Sequence, residues 1–131
     1  MYLDKPFEDE FTEFIHGKLD ELKELFDEKN KQYSGVINPL VNFETGAALA
    51  NGYFSRVGEE QYSLMYKEAK AYQRKHIAFI ATHDISAPKA EESLKDIAVY
   101  CLIQMYMIEK WKQERDRLLM EKQDGDKKCR A

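Results

Sequence analysis

Cysteine, proline and glycine are all scarce in this sequence, and each shortage removes a class of architecture. The two cysteines, Cys101 and Cys129, do not make a disulfide framework. Cys101 lies in an apolar stretch and reads as a small buried hydrophobe, whereas Cys129 sits in a charged tail where a free thiol is exposed. An unpaired couple of this kind points to a reducing cytoplasm. The histidines His16, His76 and His83 are scattered, and no cysteine–histidine spacing suits zinc. With six glycines and three prolines in all, there is no glycine-rich phosphate loop, and there is no internal repeat. No apolar run approaches the roughly 20 residues needed to span a bilayer, so no membrane partner is expected. The opening Met1-Tyr2-Leu3-Asp4-Lys5-Pro6 has neither a basic run nor an apolar core, and no signal peptide is expected there. Positive charge is in deficit too. A net charge of −4 gives a field that disfavours DNA and RNA as partners.

What is present is helical material. The 131 residues leave room for one domain, large enough to fold without disulfides or a structural metal. An apolar share of 44% beside 34% charge fits amphipathic helices. The expectation is an all-α domain over residues 1–122, followed by a disordered charged tail over residues 123–131. From about residue 7 to residue 32, Phe7, Phe11, Phe14, Ile15, Leu19, Leu22, Leu25 and Phe26 step by three and four. Acidic residues crowd the first turns, where the helix dipole favours them. Tyr33-Ser34-Gly35 and Asn38-Pro39 are stop signals. Residues 34–56 form the least regular region, with room for a short helix through Ala47-Ala48-Leu49-Ala50. An irregular connection of that length within a small domain is often functional.

A second long helix is expected over about residues 59–81, with Leu64, Met65, Ala69, Tyr72, His76, Phe79 and Ile80 near its buried side. Ser86 is the N-cap candidate of a third, and Pro88 suits its first turn. There Leu94, Ile97, Ala98, Cys101, Leu102, Met105, Ile108 and Trp111 make a wide apolar face, and the helix is expected to reach about Met120. Beyond Trp111 charge dominates, so that end is expected to project. Tyr100, Met105, Tyr106, Met107 and Trp111 occupy most of the third helix's circumference, and such a helix is buried on several sides. A homodimer or higher homo-oligomer is therefore expected to complete the bundle of three long helices.

The most informative segment runs from Glu91 to Tyr100. Residues four apart share a helix face, so Glu92 and Asp96 present two carboxylates side by side. A divalent cation turns their repulsion into binding, since magnesium commonly uses one or two carboxylates together with substrate phosphates. Without further context an ordinary solvated helix start is the commoner explanation of Glu91 and Glu92, because the dipole favours acids there and Lys95 follows Glu91 by four. His76 reads as a core histidine. His83-Asp84 looks like a base with its orienting acid, but its place in a turn favours a structural role. Lys67, Lys70, Arg74 and Lys75 fit either a small anion or a solvated face, and Lys127, Lys128 and Arg130 belong to the tail.

Three blocks in consistent order carry a family resemblance over about residues 20–110. They are Glu28-Lys29-Asn30-Lys31-Gln32-Tyr33-Ser34-Gly35, Asn38-Pro39-Leu40-Val41-Asn42-Phe43, and Glu92-Ser93-Leu94-Lys95-Asp96-Ile97-Ala98-Val99-Tyr100. Together they resemble the nucleotide modification associated domain of the first type. That family comprises phage and bacterial proteins placed near the MazG-like all-α nucleoside triphosphate pyrophosphatases. The resemblance implies a cytoplasmic protein, of bacteria or phage-infected cells, that binds a nucleotide with magnesium or manganese. It also implies hydrolysis of a nucleoside triphosphate, ribo- or deoxy-, to monophosphate and pyrophosphate. By the same resemblance Glu68, Glu92 and Asp96 are the catalytic metal ligands. Lys29, Asn30, Tyr33 and Asn42 lie near base or sugar, and Lys70 near the phosphates. The chain departs from the family pattern where Met65 stands three positions before Glu68 instead of a second glutamate. Further departures are Ala69-Lys70 for Asp-Lys, Gln32 for an aspartate and Val99 for an asparagine. The alternative reading is a non-catalytic nucleotide-binding or protein-interaction module built on that fold.

Overall fold

The structure, a computed structural model, describes residues 7–33 and 40–130, with side chains over 9–31 and 40–127. The stop signals at Ser34, Gly35 and Asn38-Pro39, the Tyr33 side chain and the Cys129 thiol lie outside the described residues. Four helices account for the described architecture: α1 (Phe7–Tyr33), α2 (Val41–Asn51), α3 (Gly58–Thr82) and α4 (Ala90–Arg130). The described residues contain no strand. Three of the helices are long, at 27, 25 and 41 residues, and the fourth, α2, has 11. Among the described residues no helix is long and apolar enough to cross a membrane.

α1 forms one unit and α2, α3 and α4 another. Along α1 the apolar stripe read from the sequence is present, and Phe11, Phe14, Ile15, Leu19 and Phe26 are exposed. Lys18 bridges Glu21 at 3.1 Å and lies 5.2 Å above the Phe14 ring.

In the second unit α3 and α4 make an antiparallel hairpin. The pairing is fixed at the open end, where Gly58 meets Glu114, and nearer the tip, where Gln73 meets Cys101 and His76 meets Asp96. Between these points lies the core, where Met65, Ala69 and Met107 are sealed from water together with Leu40 and Ala47 from the α2 side. Ala69 is fully buried, and its small side chain lets the neighbouring elements approach. Phe43, Tyr62, Leu64, Tyr66 and Ile103 pack around this cluster.

Within the irregular region foreseen over residues 34–56, the described part from residue 40 onward is more helical than its composition suggests. α2 covers Val41–Asn51, well beyond Ala47–Ala50, because Ala47 and Ala48 find a buried face against the hairpin. Tertiary burial of this kind overrides the weak propensity of Asn42, Thr45 and Gly46. The helix ends at Gly52, whose φ of 81° places it in the left-handed region while its N–H bonds Ala48 O at 2.8 Å.

Two expectations for α4 are corrected. Ser86 is not its N-cap and Pro88 is not in its first turn, because the helix begins at Ala90. Ser86 instead gives its backbone N–H and its hydroxyl to Asp84 Oδ1, closing a local turn that competes with capping. The buried side of α4 is also narrower and rotated from the face read in the sequence. It centres on Ser93, Val99 and Met107, while Leu94, Leu102, Met105 and Ile108 are exposed. The helix continues past Met120 to Arg130, with Arg117 bonded to Glu114 and Glu121 on either side.

Candidate functional site

α3 positions three chemically useful side chains by spacing alone. Glu68, Tyr72 and His76 stand four apart and share one face. On α4 the same spacing aligns Glu92, Asp96 and Tyr100. The hairpin brings the last residue of the α3 row against the middle of the α4 row: His76 Nδ1 lies 3.7 Å from Asp96 Oδ2, with both side chains largely shielded at 17% and 13% exposure. That separation is an ion-pair distance longer than a good hydrogen bond, so the attraction is Coulombic and requires a protonated imidazole.

Aromatic rings fill the space between the carboxylates. Phe43 of α2 sits 5.5 Å from Tyr72 and 6.2 Å from Tyr100, the latter edge to face, and the His76 ring lies 6.0 Å from Tyr100. These are favourable aromatic separations. The Tyr72 hydroxyl donates to the Glu68 carboxylate. Burial first, then the Glu68 charge and this hydrogen bond, push the Tyr72 phenol above its ordinary range, so it stays a donor at neutral pH. Gly46 of α2 closes directly over this pair. A Cβ there would collide with the Tyr72 hydroxyl and come within 2.8 Å of Glu68 Oε1, so any larger residue must push these side-chain ends aside for α2 to lie this close.

Behind the site a buried amide fixes the register of the two long helices. Gln73, 7% exposed, donates from Nε2 to Ile97 O at 3.0 Å and to Cys101 Sγ at 3.2 Å. Its Oε1 accepts from Gln104 Nε2 at 2.9 Å. Among the described residues no buried side-chain nitrogen or oxygen lacks a hydrogen-bond partner.

Of the residues expected from the sequence, Glu68 and Asp96 thus belong to one aromatic-lined cluster, each beside a side chain from α3. Glu92 lies exposed in the first turn of α4, and Asn42 is exposed near the start of α2. Lys70 is exposed with its ammonium 5.3 Å above the Tyr66 ring, and Lys67, Arg74 and Lys75 are exposed as well. Lys29 and Asn30 belong to the last turns of α1, in the other unit. His83 Nδ1 donates to Phe79 O at 2.8 Å and its ring stacks on Phe79 at 3.9 Å, while Asp84 holds Ser86. Both side chains are thus engaged in local contacts at the turn, the structural role that their position favours.

Magnesium was the cofactor implied by the family resemblance. Among the described residues no group of three or more histidine, cysteine, aspartate or glutamate side chains stands together as a cation cage. A smaller donor set would be one or two carboxylates sharing a cation with a ligand's own phosphates. Asp96 and Glu92 on α4, with Glu68 across the rings, are the residues that could supply it.

Reading the sequence alone missed Gly46 and Gln73. Gly46 looked like loop punctuation, and its role depends on a neighbour 22 or more positions away. Gln73 carried a weak signal, since it continues the four-residue step of Met65 and Ala69 into the core. Compared with protein-family models, curated proteins and solved structures, the chain matches none of them.

Proposed function

We propose that this chain is a magnesium-dependent nucleotide-binding protein of MazG-like helical build, completed by a second copy of itself. In the fuller form of the reading it hydrolyses a nucleoside triphosphate to the monophosphate and pyrophosphate in a cytoplasm. The observation that carries the reading is the cluster in which Glu68 and Asp96, from two helices, bracket the rings of Phe43, Tyr72, Tyr100 and His76. Rings offer a base a stacking surface, and a carboxylate beside them suits a cation-bridged phosphate. Bound magnesium supplies charge neutralisation on the phosphates and a more acidic water. Asp96 and Glu92 would hold it, Lys70 would attract the polyphosphate, and Asn42, at the α2 end of the cluster, would meet sugar or base.

The test is pyrophosphate release from each of the common ribo- and deoxynucleoside triphosphates with magnesium or manganese. Release that disappears in Asp96→Asn, with helicity retained, supports hydrolysis. A second reading, a binding module without turnover, is favoured by Met65, which stands where the family pattern has a second glutamate before Glu68. It expects a nucleotide-dependent rise in melting temperature without pyrophosphate release, because a ligand of the folded state stabilises by mass action. Neither release nor a thermal shift with any nucleotide would sink both.

A further inference from the structure

His76 and Asp96 form a couple that hydrogen bonding does not explain. They come from different helices, and 3.7 Å between His76 Nδ1 and Asp96 Oδ2 is beyond a good hydrogen bond. Both side chains are largely shielded from water, and the Tyr100 ring lies 6.0 Å from the imidazole. The other two histidines are placed differently. His83 is exposed and gives its Nδ1 to the Phe79 carbonyl, and His16 is exposed on α1 in the other unit.

We propose that His76 and Asp96 are joint donors to a divalent transition-metal ion of the zinc or cobalt kind, in preference to magnesium. The inference rests on the functional reading only in setting a cation beside Asp96. It changes which cation is preferred and adds an imidazole to its donors. With a neutral imidazole the Coulombic attraction of the pair lapses, and a cation shared by the two restores it. Two donors each about 2.1 Å from one tetrahedral ion stand about 3.4 Å apart. The observed separation therefore has to close by only roughly 0.3 Å, within the freedom of two side chains. An imidazole nitrogen suits zinc-like ions, whereas magnesium keeps to hard oxygen donors in an octahedron. Water or the phosphate oxygens of a ligand complete the shell.

The buried amide layer holds both donors in place. Gln73 stands three residues before His76 on α3 and donates to the carbonyl of Ile97, the residue next to Asp96 on α4. One side chain thus ties together the two backbones that carry the donors, and such support raises metal affinity by limiting what must be ordered on binding.

The experiment is a titration of the full chain with cobalt(II), whose visible absorption reports its ligands, with circular dichroism as the folding control. The expected result is saturation at one equivalent, without the intense near-ultraviolet band of a thiolate ligand, and no displacement by excess magnesium. His76→Gln and Asp96→Asn each weaken binding by about tenfold or more, while the double variant His16→Gln with His83→Gln binds as the wild type does. That double variant keeps His76 as its only imidazole, so it also supplies a test that leaves both proposed donors intact. On adding zinc, the nitrogen resonances of its one histidine ring shift. An unshifted ring, no cobalt absorption, a thiolate band, ready displacement by magnesium, or binding indifferent to His76→Gln each overturns the proposal. A nucleotide-dependent thermal shift with magnesium but no cobalt binding removes the imidazole donor and leaves the functional reading standing. Cobalt bound as expected with no response to any nucleotide keeps the metal pair and sinks the functional reading.

Discussion

The middle of the α3–α4 hairpin and the stretch two turns nearer its tip are built from different materials. In the middle, Met65, Ala69 and Met107 close on Leu40 and Ala47 through hydrocarbon and thioether alone. Nearer the tip, Gln73 is almost as well buried but is held by Ile97, Cys101 and Gln104. Apolar burial is non-directional, so the first layer stabilises any register that keeps it covered. The amide layer is directional, and a slide of one helical turn breaks all of its bonds while leaving the groups buried. The first layer therefore supplies stability and the second chooses which residues face each other. That choice sets Asp96 against His76 and Tyr100 against Phe43.

The largest effect should come from the hydrocarbon layer. Met107→Ala opens a cavity at a fully buried position and should cost about 2–5 kcal/mol, read as a lower urea midpoint with an unchanged slope. The amide layer should respond more subtly. Gln73→Ala strips Gln104 of its partner and should cost about 1–3 kcal/mol. Gln73→Leu combined with Gln104→Leu should recover most of that loss. If the double variant is instead the less stable, the amide layer contributes stability beyond register and the contrast collapses. Gly46→Val tests the joint between α2 and the cluster. Its side chain must displace the Tyr72 hydroxyl and Glu68, with an expected loss of about 1–3 kcal/mol and an altered tyrosine near-ultraviolet spectrum.

The smallest effect lies in the tip itself and depends on pH. Hydrogen bonds from the Ser86 hydroxyl and N–H hold the Asp84 carboxyl below its ordinary value. A depressed acid contributes stability that is present above its unfolded pKa of about 3.9 and is lost as pH falls through the folded value. The difference in melting temperature between the wild type and Asp84→Ala should thus be present at neutral pH and close under more acidic conditions. A gap that persists unchanged in acid would assign the effect to the backbone of the turn.

The helices were legible because their signals are local. Three- and four-residue spacing located α1, α3 and α4, and the ends of α3 at Gly58 and Thr82 fall within a residue of those expected. What the sequence could not settle was rotation and neighbourhood. α4 is apolar around much of its girth, so periodicity did not say which side meets α3, and the true inward side includes the polar Ser93 and Gln104. The acidic spacing placed Asp96 correctly on a helix face, yet its imidazole neighbour became visible only with the hairpin register. Gly46 and Gln73 matter through partners distant in sequence, and no short motif announces such partners.

The portion of α4 beyond Glu114 has no stretch of α3 beside it, since α3 begins at Gly58 and Gly58 already meets Glu114. Such a segment behaves as a seeded helix–coil system. The hairpin provides the nucleus, which is the improbable event for a lone peptide, and each following residue faces only the near-balanced step of propagation. Arg117, bridging Glu114 and Glu121, tilts that balance toward helix over the first turns, and Gly125 tilts it back. Heating should therefore shorten α4 gradually from its far end, as a sloping baseline in helicity, before the hairpin unfolds in one step.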